Sequence, residues 1–245
     1  MALGIAMNYM TGIADLAASR AFYQAVGFRT IDSGQEPYPW AQLTDGQLVV
    51  GLHQDGHLYR GLAYFGRGMA AQAAALEEAG VPMPVRNERP DGFFQAILLP
   101  ESTLPVSLIE FAAATPPAAR QPNPRLGVLG ELALAVPDLS QAIAKWGLLG
   151  FEVRHRESIG DHYQWAILSD GLLPLGLHQT ADFSGPALTY FAPDMEQRLQ
   201  QMAAAGVEIS NPMPDEEGRV RNAIVQAPDG QEWFLFEGNV DSAQL

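Results

Sequence analysis

Apolar and polar residues alternate along this chain at two periods, and the switches between the periods mark its elements. Period-two stretches at 5–12, 28–33, 39–44 and 47–54 predict four strands, with a helix between the first two. In that helix Ala18, Ala21, Phe22, Ala25 and Val26 recur at spacings of three and four and so predict its buried face. Asp15 stands where an N-cap is needed, and Gly27 where the chain must leave the helix with positive φ. The order is β, α, then three β. The same order follows with a strand at 61–65, a helix at 69–79 closed by Gly80, and strands at 82–86, 93–99 and 104–111.

The hairpin Leu43-Thr44-Asp45-Gly46-Gln47-Leu48-Val49-Val50-Gly51-Leu52-His53-Gln54 returns as Leu168-Ser169-Asp170-Gly171-Leu172-Leu173-Pro174-Leu175-Gly176-Leu177-His178-Gln179. Asp-Gly between apolar runs is a strong hairpin signal. Other landmarks recur with it: Gly27-Phe28 as Gly150-Phe151, Tyr38 and Trp40 as Tyr163 and Trp165, Glu110 as Glu237. A period near half the chain predicts two copies of one domain, each long enough to bury its own core. The proline-rich stretch 112–124 reads as a linker between domains at 1–111 and 125–245. In the second copy, strand 130–136 leads to Asp138 and Gln141, a capping-box pattern that Asp194 and Gln197 repeat. Met195, Leu199 and Met202 take the helix face held earlier by Met69, Ala73 and Leu76, and strands at 219–226 and 232–237 finish the chain.

Composition narrows the chemistry. The 245 residues include no cysteine, which removes disulfides, thiolate nucleophiles and cysteine metal ligands and makes a cytoplasmic location the default expectation. The start lacks a signal-peptide pattern and no apolar run approaches membrane-spanning length, so no membrane partner is expected. Of the net charge of −14, −10 falls after residue 120. That field repels phosphate backbones and argues against nucleic acid.

Asp-Leu opening a helix that ends in Gly-Phe (Asp15-Leu16 to Gly27-Phe28, Asp138-Leu139 to Gly150-Phe151), with Ala-Pro-Asp-Gly-Gln-Glu-Trp-Phe-Leu-Phe-Glu near the end, resembles the vicinal oxygen chelate superfamily. Its members include glyoxalase I, bleomycin-resistance proteins, fosfomycin-resistance enzymes and extradiol dioxygenases. The resemblance implies an α+β protein of two glyoxalase-like domains, each a pair of βαβββ units forming a cupped, half-open barrel with its site on the concave face. It also implies positions for a divalent metal: Asn8 and Glu131 on the leading strands, Gly61 and Ala187 on the trailing ones, Ser107 and Phe234 on the last strands, and Gly51 and Gly176 after the hairpins. Gly, Ala and Phe carry no donor atom. The expectation is therefore no metal and no cofactor, with a divalent metal as the alternative.

His53 and His178 share a strand face with Gly51 and Gly176 and can face the cups beside Asn8 and Glu131. Glu131 with His178 reads either as an acid–base pair or as a structural histidine at a strand end. Tyr38 with Trp40, and Tyr163 with Trp165, project to one strand face, where they either wall a ligand cup or belong to the core. Arg86, Arg89, Arg219 and Arg221 flank segments 87–93 and 211–218, where the resemblance implies a mobile flap, and either clamp an anion or pair locally. His57, His155 and His162 fall among polar loop residues. Together these readings predict a metal-independent binder of a small molecule, monomeric or homodimeric. The alternative is a lyase, isomerase or dioxygenase built around Glu131 and His178.

Overall fold

A computed structural model describes residues 3–101, 103–160 and 163–240. The first copy runs β1 (Ala6–Gly12), α1 (Leu16–Ala25), β2 (Arg29–Gly34), β3 (Trp40–Thr44), β4 (Val49–His53), β5 (Tyr59–Gly66), α2 (Met69–Glu78), β6 (Val85–Glu88), β7 (Phe94–Glu101) and β8 (Leu104–Glu110). The second runs β9 (Val128–Ala135), α3 (Leu139–Leu148), β10 (Glu152–Ile159), β11 (Tyr163–Ser169), β12 (Pro174–Gln179), β13 (Ala187–Ala192), α4 (Met195–Ala204), β14 (Asn211–Pro214), β15 (Val220–Gln226) and β16 (Glu232–Glu237). Each copy is one eight-stranded mixed sheet, ordered β2-β3-β4-β1-β5-β8-β7-β6 and β10-β11-β12-β9-β13-β16-β15-β14. Leading and trailing βαβββ units meet where β1 pairs antiparallel with β5, and β9 with β13. The sheets are open rather than closed barrels, so each keeps one concave face.

Local chemistry sets the helix ends. Asp15 Oδ1 accepts from the Ala18 N–H at 3.0 Å and Asp138 Oδ1 from the Gln141 N–H at 2.9 Å, as N-caps do. Gly68 has no side chain to cap α2, and Glu110 replaces it by accepting from the N–H groups of Gly68 (3.2 Å) and Met69 (2.8 Å). Glu110 therefore sits on the helix side of its sheet, the face that its odd spacing from the expected metal position requires.

Four details differ from the sequence expectation. The buried face of α1 is turned: Ser19 and Tyr23 are buried and Ala21 is exposed, because Tyr23 is drawn towards the second copy. Asp194 makes no side-chain cap; its carboxylate takes the Arg198 guanidinium at 2.6 Å, and Arg198 in turn donates to the Pro124 carbonyl. Strand β6 begins at Val85 rather than 82, since Pro82 and Pro84 have no N–H for the ladder. His155 lies within β10, not in a loop, with its ring 4.9 Å from that of Trp165. His162 is outside the described residues.

The two copies do not keep separate cores. Buried residues of both belong to one continuous apolar cluster. At its centre Trp233 of β16 meets Phe22, Tyr23 and Phe28 of the first copy edge-on at 5.4–5.9 Å and stacks on Tyr190 at 5.8 Å. The repeated hairpins tie the copies reciprocally. Tyr64 on β5 donates to Asp170 Oδ2 at 2.6 Å, and its counterpart Tyr190 on β13 donates to Asp45 Oδ2 at 2.7 Å. Burial, then the facing carboxylate, pushes both phenols far above the ordinary tyrosine range, so each keeps the proton it donates. A third turn aspartate, Asp229, accepts from Tyr23 at 3.3 Å and faces Arg60 at 3.8 Å.

Candidate functional site

On the concave face of the second sheet, period-two alternation sorts side chains into two sets. On β11, Ala166 and Leu168 pack under the helices, while Trp165 and Ile167 face a cavity. On β16, Trp233 and Leu235 go to the core and Phe234 and Phe236 to the cavity side. The cavity has two adjoining lobes, of about 390 Å³ and 270 Å³, with Glu131, His178 and Phe236 in the wall of both.

The polar groups of this cup form one chain of hydrogen bonds. His178 Nε2 lies 3.0 Å from Glu131 Oε1, and Tyr163 Oη lies 2.6 Å from His178 Nδ1. Thr189, directly opposite Glu131 in the β9–β13 ladder, donates to the same Glu131 oxygen at 3.3 Å. A carboxylate on Nε2 fixes the tautomer with its proton there and leaves Nδ1 to accept from the phenol. Burial first, then the charges of Glu131 and Asp182, push the Tyr163 phenol up, which keeps it a donor. Trp165 stacks over the imidazole at 6.1 Å with an 11° tilt. The arrangement holds one proton at Nε2, between the imidazole and the carboxylate, and directs the Tyr163 proton at Nδ1, the basic nitrogen of the ring.

Glycine is required beneath this pair. A Cβ at Gly176 would lie 1.9 Å from Glu131 Oε2 and 2.8 Å from His178 Nε2. Gly176→Ala is therefore expected to expel the carboxylate, break the Glu131–His178 bond and cost about 1–3 kcal/mol through overpacking. The His178 imidazole resonances in NMR check this; an unchanged ring environment in the variant would contradict it.

The first cup is built from the same positions and filled differently. Tyr38 Oη is 3.1 Å from His53 Nδ1, but His53 Nε2 is buried without a partner, and among the described residues no hydrogen bond joins it to Asn8. Burial holds the His53 imidazole below its ordinary pKa, partly offset by Asp55. The two cups differ two residues along the strand from Asn8. Met10 pairs with Gly51, and its sulfur would be 2.8 Å from a Cβ there, whereas Ala133 occupies the matching place opposite Gly176. Trp40 is half-buried against Gly34, with its Nε1 donating to the Glu36 carbonyl at 3.2 Å. The structure thus joins Glu131, His178, Tyr163 and Trp165 around one cavity, and leaves Asn8, His53, Tyr38 and Trp40 in a cup into which Met10 projects.

Sequence reasoning passed over Thr189, Phe183, Phe191 and Phe236, although the Trp-Phe-Leu-Phe alternation of β16 carries the signal for Phe236. Phe183, from the loop after β12, touches His178 at 5.8 Å and Phe234 at 5.4 Å and has no periodic signature. The arginines pair locally: Arg86 with Glu77 and Glu88, Arg89 with Asp91, Arg219 with Asp215 and Glu217, Arg221 with Asp215 and Glu237.

The donor set does not fit the metal that the resemblance implies. Of the positions it assigns in this cup, Glu131 is a donor, Ala187 and Phe234 are not, and Gly176 lies under the carboxylate. Among the described residues no three His, Cys, Asp or Glu side chains converge. Among the same residues no helix is long and apolar enough to cross a membrane.

No protein-family model matches the chain, and no curated protein matches it. Solved structures do match in fold. A catechol 2,3-dioxygenase superposes with a TM-score of 0.63 at 14% identity, over 98% of this chain and 90% of its own. The Mn(II)-bound glyoxalase of Novosphingobium aromaticivorans gives 0.63 at 17% identity, over 97% and 84%. The 2,3-dioxygenase LapB of Pseudomonas sp. KL28 gives 0.61 at 13% identity, over 95% and 91%. The chain accordingly shares the two-domain fold of these dioxygenases and of this glyoxalase, a fold that carries more than one chemistry.

Proposed function

We propose that the second cup is a binding site for a small, planar, largely apolar molecule, and that it works without the divalent metal that the family resemblance implies. The observation that carries this reading is the 390 Å³ cavity walled by Trp165, Ile167, Phe191 and Phe236, with polar groups gathered at the Glu131–His178 end. Apolar walls supply affinity and a few placed polar groups supply orientation, the usual construction of a small-molecule pocket. Dioxygenase chemistry finds no support in the donor set. A proton-transferring lyase or isomerase is the second reading, favoured by the Tyr163–His178–Glu131 chain at 2.6 and 3.0 Å.

Binding of the neutral fluorescent probe N-phenylnaphthylamine tests the first reading. Trp165→Ala is expected to weaken it by about three- to tenfold, the worth of one aromatic wall. Trp40→Ala, in the cup that Met10 enters, should leave the dissociation constant within about twofold. Equal losses from both variants, or none from Trp165→Ala, would overturn the assignment to the second cup.

A further inference from the structure

The charge inside the second cup has one sign. Among the described residues, Glu131, Asp182 and Glu232 line its two lobes and no lysine or arginine does. Glu131 is only 8% exposed, and its nearest partners are a histidine and a threonine. Those partners use Oε1. Among the described residues Oε2 has no hydrogen-bond partner, and it lies over Gly176, where the missing Cβ leaves room for it. A buried carboxylate ordinarily has a cationic partner, because stripping it of water is otherwise costly. Among the described residues the one ion-pair contact of Glu131 is His178 at 3.0 Å, through Oε1, and no lysine or arginine pairs with it.

Much of the remaining wall is aromatic. Phe191, Phe236, Phe234 and Phe183 form a run of ring contacts at 5.4–6.1 Å, Phe191 and Phe236 lining the lobe of Trp165 and Phe183, Phe234 and Phe236 the other. Aromatic faces attract organic cations and offer nothing to anions. Resting on the binding reading above, we infer that the ligand is an organic cation: an ammonium group on an apolar or aromatic body, with the charge at Glu131 Oε2 and the body against Trp165 and the phenylalanines. Carboxylates, phosphates and phenolates are repelled by the same three acidic groups.

Three probes of nearly equal shape test this by calorimetry on the full chain: benzyltrimethylammonium, its neutral carbon isostere neopentylbenzene, and the anion phenylmethanesulfonate. The cation is expected to bind at least about tenfold tighter than the isostere, and the sulfonate not to bind. Glu131→Gln should weaken the cation by about tenfold while leaving the isostere within about twofold. If that variant does not fold, the three-probe comparison on the unaltered protein decides alone. Equal binding of cation and isostere, preference for the sulfonate, or a Glu131→Gln variant that binds the cation undiminished would overturn the inference. If none of the three binds while N-phenylnaphthylamine still does through Trp165, the cation inference falls and the binding site stands. If that probe fails too, both fall.

Discussion

Trp233→Ala is expected to destabilise the whole chain by about 3–5 kcal/mol, in a single transition rather than two. The indole is 1% exposed and sits among Phe22, Tyr23 and Phe28 of one copy and Tyr190 of the other. Removing it opens a cavity at the junction of both sheets, where neither can collapse without disturbing its neighbour's helix. Its Nε1 has no hydrogen-bond partner, so Trp233→Phe loses volume but no polar contact and should cost markedly less. Urea unfolding followed by circular dichroism and by fluorescence of the remaining indoles measures this. Non-coincident transitions, with one half unmoved by the substitution, would show that the copies are independently stable and that the shared core contributes little.

The duplicated architecture was legible because its signals are local. Asp15 and Asp138 cap the helices that their positions predict, Gly27 and Gly150 leave those helices with φ near +90°, and β16 occupies the residues its alternation marks. What escaped is what one copy does to the other. Ala21 and Tyr23 are indistinguishable as helix-face candidates until Asp229, two hundred residues away, offers Tyr23 a partner. The same limit applied to the cups. Glu131, His178, Tyr163 and Trp165 stood out because they repeat or fall at resemblance-implied positions, and the structure does gather them. Nothing in a strand pattern says that Met10 projects over Gly51, while the smaller Ala133 leaves the place over Gly176 to the Glu131 carboxylate, yet that one exchange gives the two cups different floors. Phe183 lies on a loop, where periodicity carries no information.

The repeated Asp-Gly, read from the sequence as a turn, does a second job that makes it the other sensitive point. Asp45→Ala is expected to cost about 2–4 kcal/mol, more than a turn aspartate exposed to water would. Asp45 is 9% exposed; Oδ1 accepts from the N–H groups of Gln47 and Leu48, both at 2.8 Å, while Oδ2 accepts from Tyr190 of the other copy. Alanine strands all three donors, and the phenol, fully buried, has no route to water. Tyr190→Phe removes the donor instead and should cost about 1–3 kcal/mol, since the carboxylate keeps its two backbone partners. Because the groups share one bond, the double variant should fall short of the sum by about 0.5–3 kcal/mol in a denaturation cycle. Strict additivity would mean that hairpin and phenol do not communicate and that Asp45 acts only within its turn. The pseudo-symmetric bond from Tyr64 to Asp170 supplies an internal control: Asp170 also holds two backbone N–H groups, those of Leu172 and Leu173, at 2.9 Å. Asp170→Ala should therefore repeat the Asp45→Ala result from the opposite side of the interface, unless one copy dominates the stability of both.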